Sequence, residues 1–164
     1  MTMPDALVPL AWLIGEWQGD GRGSYPTIDD FAYRETSTYM QPRPDKPFLA
    51  YTQRTWMLEG GAPTHAETGY LRGIAGGHVE LVLSQPSGVV EVHDGTATDE
   101  RIELATIAVA RTPTAKEVTE VRRVIERRGA DTLWYRLDMA AVGEASQYHC
   151  EATLHRVGPT TPTG

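Results

Sequence analysis

From residue 29 onwards the chain alternates between polar and apolar side chains in short segments. A period of two is typical of a strand with one buried and one exposed face. Each segment therefore predicts one β-strand. The segments are 29–40, 47–58, 65–74, 78–85, 88–97, 101–113, 116–128, 131–142 and 146–157.

Short runs rich in glycine and proline separate these segments, for example EGGAPT at 59–64 and QPSG at 85–88. They are typical of tight turns. The stretch ERRGADTLWY predicts a hairpin with Gly129 in its turn. Regular antiparallel strands with short turns indicate a sandwich or a barrel, and a meander that closes on itself leaves no exposed edge. We expect an all-β fold, a single antiparallel up-and-down barrel of about ten strands.

One segment before the strands is predicted to be helical. DALVPLAWLIGEW places Leu7, Leu10 and Leu13 near one face, and Pro9 limits its length. Gly15 is a stop signal that follows it. The sequence predicts a short N-terminal helix ahead of the first strand.

The stretch GEWQGDG places Gly15, Trp17, Gly19 and Gly21 close together. A phosphate-binding loop would need a lysine after its glycines, and an acidic pair follows here at 29–30 instead. A barrel explains the stretch better, with Trp17 filling one end and the glycines letting the first strand bend.

Length and composition fit one domain, and we assign residues 1–157 to the barrel and 158–164 to a flexible tail. The sequence has no apolar run long enough for a membrane helix, so no membrane association is expected. The single cysteine, Cys150, excludes an internal disulfide. The start of the chain lacks the basic region of a secretory signal. We expect a cytoplasmic protein.

The net charge is -7, which disfavours nucleic acid as a partner because phosphate binding needs clustered basic residues. The one basic cluster is Arg122, Arg123, Arg127 and Arg128. It predicts a solvated strand face and hairpin tip, or a contact to an anionic group of a ligand.

Five motifs appear in order along the chain, and together they resemble the nitrobindin family. They are GEWQGDG from Gly15, ETGYLR from Glu67, GVVEVHDG from Gly88, LDMA from Leu137 and HCEATLHR from His149. The resemblance covers nearly the whole chain. It implies a barrel that holds one ferric haem b per chain through a single histidine. It also implies nitric oxide binding and isomerisation of peroxynitrite to nitrate, in a monomer or weak homodimer whose partners are small molecules.

Five histidines could bind such an iron. His65, His78 and His93 lie near predicted turns, and we expect them to be solvated. His149 and His155 remain, but both lie on the opposite parity to the apolar residues of their strand, so parity does not separate them. A bulge could turn one of them inwards. Matching the family's C-terminal motif favours His149 as the axial ligand, with His155 as the alternative.

Two further residues are candidates for haem contacts. Thr27 matches a family position close to the haem, and Arg127 could pair with a propionate. Two other functions stay open. A fatty-acid carrier would use Arg123 or Arg127 with Tyr135 to bind a carboxylate. A sensor would bind nitric oxide without turnover.

Overall fold

The computed structural model describes residues 3–158, and most of them belong to ten β-strands. A 3₁₀ helix, Asp5–Leu13, precedes the strands, and a three-residue one, Ala75–Gly77, lies between the fourth and fifth. The strands are β1 (Gly15–Tyr25), β2 (Ile28–Met40), β3 (Phe48–Met57), β4 (Pro63–Gly73), β5 (His78–Ser84), β6 (Val89–Ala97), β7 (Arg101–Arg111), β8 (Val118–Arg127), β9 (Thr132–Ala141) and β10 (Gln147–Arg156). Within residues 3–158 no helix has the length and apolar character needed to cross a membrane.

Every strand pairs antiparallel with the next one along the chain, and β1 pairs with β10. The sheet is therefore a closed barrel, and both edges of each strand have a partner. This confirms the predicted all-β up-and-down barrel of about ten strands. Of the predicted tail, residues 159–164 lie outside the described residues.

The N-terminal segment closes one end of the barrel. It is a 3₁₀ helix and contains Pro9, and its Leu7, Leu10 and Leu13 are fully buried. Trp17 is fully buried beside it and donates from Nε1 to the carbonyl oxygen of Leu13, 2.7 Å away. We call this N-terminal helix together with Trp17 the plug. Arg156 stabilises the plug, because its guanidinium lies 4.2 Å from the Trp17 ring centroid and donates to the carbonyls of Trp12 and Ile14.

The glycines of β1 make room for neighbouring atoms. A Cβ atom at Gly19 would lie 2.1 Å from the carbonyl oxygen of Thr153 on β10. A Cβ atom at Gly21 would lie 2.4 Å from Cζ of Tyr33 on β2. β1 is a continuous strand, so these glycines allow close packing of the backbone and of an aromatic ring.

Candidate functional site

A cavity of about 620 Å³ fills the half of the barrel away from the plug, and we call it the barrel cavity. Its volume lies within the roughly 300–1,000 Å³ of small-molecule pockets. One side is apolar and includes Phe31, Val121, Leu137 and Met139. The chain from β3 to β6 gives the other side its polar groups, namely Gln53, Thr55, Thr64, His65, Glu67, Gln85 and Glu91.

His149 lies in the barrel cavity because β10 carries a bulge. In the pairing of β10 with β9, Tyr148 faces Asp138 and Cys150 faces Leu137, so His149 is an extra residue between consecutive pairs. A bulge changes the direction of side chains locally. Both His149 and Cys150 consequently line the cavity, although they are adjacent in sequence.

The hydrogen bonding of His149 leaves one ring nitrogen available to a ligand. Its Nδ1 lies 3.4 Å from the carbonyl oxygen of Ser24, to which the Nδ1–H tautomer donates. Among residues 3–158 no side-chain hydrogen bond to Nε2 is formed. Burial lowers the pKa of His149 below its ordinary value, which favours the neutral ring. A neutral imidazole whose Nδ1–H bonds a carbonyl presents Nε2 as a metal ligand.

Aromatic neighbours fix the plane of this imidazole. The Tyr25 ring meets it edge-on at a centroid distance of 5.5 Å, and the Phe31 ring lies at 5.8 Å. Gly23 makes this packing possible, since a Cβ atom there would lie 2.3 Å from Cζ of Phe31 and 2.7 Å from the carbonyl oxygen of His149. The glycine-rich stretch thus positions the histidine of the last strand.

The other residues predicted to contact haem are all exposed. His155 is exposed on the barrel exterior, with Nδ1 3.3 Å from the hydroxyl of Thr132. Thr27 is exposed in the turn between β1 and β2, next to Ile28, which lines the cavity. Arg127 is exposed at the end of β8 and donates to the carbonyl of Gly129 in the β8–β9 turn, at the plugged end. The structure therefore does not bring Arg127 and His149 together.

Of the three histidines expected to be solvated, His65 and His78 are exposed, but His93 is not. His93 is fully buried and its Nε2 lies 2.8 Å from Glu91, so the prediction of a surface position is wrong. It lies on the inward parity of β6 with Val89 and Glu91. His65 lines the barrel cavity and keeps a partly exposed side chain, with Nε2 3.0 Å from Glu67.

A buried ionic cluster underlies the polar side of the cavity. Arg123 donates to both carboxylate oxygens of Glu67, at 2.9 and 2.8 Å, and to Glu91 at 2.8 Å. The three side chains are between 2 and 9% exposed. The basic cluster is therefore not solvated as a whole, because Arg123 points inwards while Arg122 is exposed.

The charges of this cluster determine its pKa values. Burial would raise the pKa of Glu67 and Glu91, but the Arg123 guanidinium holds both pKa values below their ordinary range. Burial lowers the pKa of His93 despite its bond to Glu91. The cluster thus holds two carboxylates and one guanidinium, and a buried charge that loses its partner is costly.

Sequence parity could have revealed these buried charges. Glu67 lies on the parity of the buried Leu71 in β4, and Glu91 on that of the buried Val89 in β6. Both glutamates also belong to motifs of the resemblance. The signal was an acidic residue at an inward position, where an unpaired charge is rarely tolerated.

Residues 6–156 match the family described as THAP4-like, heme-binding beta-barrel domain. The chain is 47% identical over 156 residues to peroxynitrite isomerase 2 of Mycobacterium marinum, covering 93% of both sequences. It is 43% identical over 157 residues to the peroxynitrite isomerase of Nocardia farcinica, covering 93% of the chain and 91% of that relative. The crystal structure of Rv2717c from M. tuberculosis is 44% identical with a TM-score of 0.89, over 94% of this chain and 99% of that one.

Proposed function

The chain belongs to the family of THAP4-like, haem-binding β-barrel domains, and from that premise we propose that it is a haem-dependent peroxynitrite isomerase. Two relatives of nearly the same length that carry the name peroxynitrite isomerase support the activity. His149 in the barrel cavity is the observation that supports it best. The proposal includes ferric haem b, one per chain, with His149 as its axial ligand.

The described residues fit a haem in three respects. The cavity volume of about 620 Å³ suits a large planar cofactor. The neutral His149 has Nδ1 near the Ser24 carbonyl, which directs Nε2 to an iron. The apolar side with Phe31, Leu137 and Met139 matches the apolar faces of a porphyrin. His155 is exposed outside the barrel, which favours His149 over it as the ligand.

The rim of the cavity offers groups for the carboxylates of the cofactor. Lys116 lines the cavity where the β7–β8 turn meets the mouth, and it supplies a cation there. Thr27 lies in the β1–β2 turn at the same end of the barrel. We propose these two residues, and not Arg127 at the plugged end, as the contacts for the propionates.

Bound haem would supply the iron position at which peroxynitrite rearranges to nitrate. The two anions contain the same atoms and the same charge, so no electron and no net proton must come from the protein. The chain's own contribution is to hold the iron through one imidazole, to exclude water with the apolar side, and to orient the anion with the polar side. Binding of nitric oxide at the same position is part of the proposal.

Stopped-flow mixing with peroxynitrite tests this function. Full-length protein reconstituted with ferric haem should speed the decay of peroxynitrite and raise the yield of nitrate over nitrite. His149→Ala should abolish both effects, while the matched His155→Ala should retain them because His155 is exposed outside the barrel. Equal activity of wild type and His149→Ala would refute the assignment. Nitric oxide binding without faster decay would point to a sensor.

The fatty-acid carrier gains no support from the placement of its proposed cations, although Tyr135 lines the barrel cavity. Every hydrogen bond that the Arg123 guanidinium forms goes to Glu67 or Glu91, so this cation is already neutralised. Arg127 lies at the other end of the barrel from the mouth.

The single cysteine and the acidic net charge support a cytoplasmic location and argue against nucleic acid as a partner. We also propose that the protein is a monomer or weak homodimer.

A further inference from the structure

Glu35 is a buried carboxyl that the proposed chemistry does not use. It lies on β2 and is 1% exposed. The hydroxyl of Ser37 donates to its Oε1 at 2.5 Å, and the hydroxyl of Tyr135 lies 2.5 Å from its Oε2. Both partners are neutral, whereas Glu67 and Glu91 share the guanidinium of Arg123.

The charge balance of the interior makes Glu35 the carboxyl that most readily keeps a proton. With Glu67 and Glu91 ionised, Arg123 already leaves one negative charge uncompensated. A second uncompensated charge would carry a large desolvation cost. Burial accordingly raises the pKa of Glu35 despite the hydrogen bonds from Ser37 and Tyr135. The titratable groups that face it are Tyr33, Tyr39, Tyr51, Glu67, Arg123, Tyr135 and Cys150.

A chain of hydroxyl groups leads from Glu35 to the barrel cavity. The Tyr135 hydroxyl lies 2.7 Å from that of Tyr33, and both tyrosines line the cavity. The amide of Gln53 reaches the Tyr135 oxygen at 3.4 Å, and the Tyr33 hydroxyl lies 3.3 Å from the carbonyl of Glu151. Each phenol can donate only one proton.

The proton on Glu35 decides in which direction this chain donates. When Glu35 is ionised, Tyr135 donates to it and Tyr33 donates to Tyr135, so neither hydroxyl proton is available to the cavity. When Glu35 is protonated, it can donate to Tyr135, and Tyr135 can donate to Tyr33. The Tyr33 proton is then free to leave the weak bond to Glu151 for a ligand.

We infer that Tyr33, Tyr135 and protonated Glu35 form a donor relay that binds an oxyanion in the barrel cavity. A nitrate-like anion and a carboxylate share the chemistry it recognises, since both accept a hydrogen bond on a charged oxygen. The inference rests on side chains alone and does not depend on haem. It goes beyond the proposed function by assigning a positioning role to groups that do not bind iron.

The relay makes oxyanion affinity depend on pH. The anion binds best while Glu35 is protonated, and its affinity falls as the pH rises through the pKa of Glu35. By linkage, a bound anion raises the pKa of Glu35 in turn. The size of the effect follows from one hydrogen bond to a charged acceptor, which is worth about tenfold or more in affinity.

Infrared difference spectroscopy of the full-length chain, with and without haem, measures the proton directly. The protonated carboxyl of Glu35 should give a carbonyl band that disappears on raising the pH and is missing in Glu35→Gln. Adding sodium nitrate should raise the pH at which this carbonyl band disappears. A band that is absent throughout the range in which the protein is folded would overturn the relay.

Binding of sodium nitrate and of sodium octanoate to the haem-free chain, followed by NMR of labelled tyrosines, tests the direction of the relay. Tyr33→Phe should lower the affinity about tenfold at low pH. Glu35→Gln should keep the low-pH affinity at every pH, because its amide always donates to Tyr135. Tyr70→Phe is the control, because Tyr70 is exposed on β4, and it should behave as wild type.

The two anions distinguish the sources of ligand. Nitrate binding alone assigns the site to small inorganic oxyanions, and octanoate binding alone assigns it to fatty-acid carboxylates. Failure of both to bind wild type, or unchanged affinity in Tyr33→Phe, would contradict the inference. Neither result bears on haem binding, which is measured separately through His149.

Discussion

Replacing Arg123 with methionine tests whether the ionic cluster supports the barrel. The substitution keeps a long apolar side chain but removes three hydrogen bonds, two to Glu67 and one to Glu91. Both carboxylates are 2% exposed and would lose their cation. Removing one partner of a buried pair costs about 3–5 kcal/mol. We expect a loss of that size in the free energy of unfolding at pH 7.

Urea unfolding followed by circular dichroism measures this loss. The midpoint should fall by more than about 1 M, given m-values of about 1–3 kcal/mol/M. The matched control is Arg122→Met, since Arg122 is exposed and pairs with Glu120 on the outside of the same strand. It should change the free energy of unfolding by about 0.5 kcal/mol or less. Equal effects of the two substitutions would refute the reasoning.

The pH dependence of the difference gives a second test of Arg123. In wild type the pKa of Glu67 is below its ordinary value, so its contribution is present above about pH 4.3 and is lost as the pH falls towards the folded-state pKa. Without Arg123, burial raises the pKa of Glu67. Protonation of Glu67 then removes the uncompensated buried charge that destabilises the variant. The difference in the free energy of unfolding between wild type and Arg123→Met should therefore decrease as the pH falls from 7 to 4. A gap that grows instead would contradict the charge balance.

Two packing predictions concern β1. Gly23→Ala should lower the free energy of unfolding by about 1–3 kcal/mol and weaken haem binding, because its Cβ would collide with Phe31 and the His149 carbonyl. Gly158→Ala is the control, because a Cβ atom at Gly158 has open space around it. Equal haem affinity of the two variants would contradict this packing. Trp17→Phe should lower the free energy of unfolding by about 1–3 kcal/mol through the lost bond to Leu13. The control is Trp134→Phe, because Trp134 is partly exposed, and in thermal unfolding it should lower the midpoint temperature less than Trp17→Phe does. The reverse order would contradict the role of Trp17 in closing the barrel end.

The strands could be predicted from sequence because each has one inward and one outward face. The period of two locates β2 to β10. The short turns between them favour antiparallel pairing of consecutive strands, and closing such a sheet into a barrel leaves no exposed edge. The N-terminal segment was harder, since its apolar spacing suits more than one kind of helix. Pro9 lies inside it, and the structure forms a 3₁₀ helix there.

The site was less predictable because it depends on exceptions to strand periodicity. Parity alone places His149 outside the barrel, and the bulge opposite Asp138 and Leu137 brings it inside. Such a bulge has no signal in one sequence beyond the motif itself. The ionic cluster depends on contacts between β4, β6 and β8, and these contacts have no signal in one sequence. Strand parity could have separated the buried Arg123 from its exposed neighbour Arg122, but it does not show that Glu67 and Glu91 are its partners.

The central claim is that His149 holds a haem iron in the barrel cavity. Titration of ferric haem into full-length wild type, His149→Ala and His155→Ala, followed by absorption spectroscopy, tests it most directly. We predict one haem per chain with a five-coordinate Soret band in wild type and in His155→Ala, and its loss in His149→Ala alone. Loss in His155→Ala alone, or no specific haem binding by wild type, would contradict the claim.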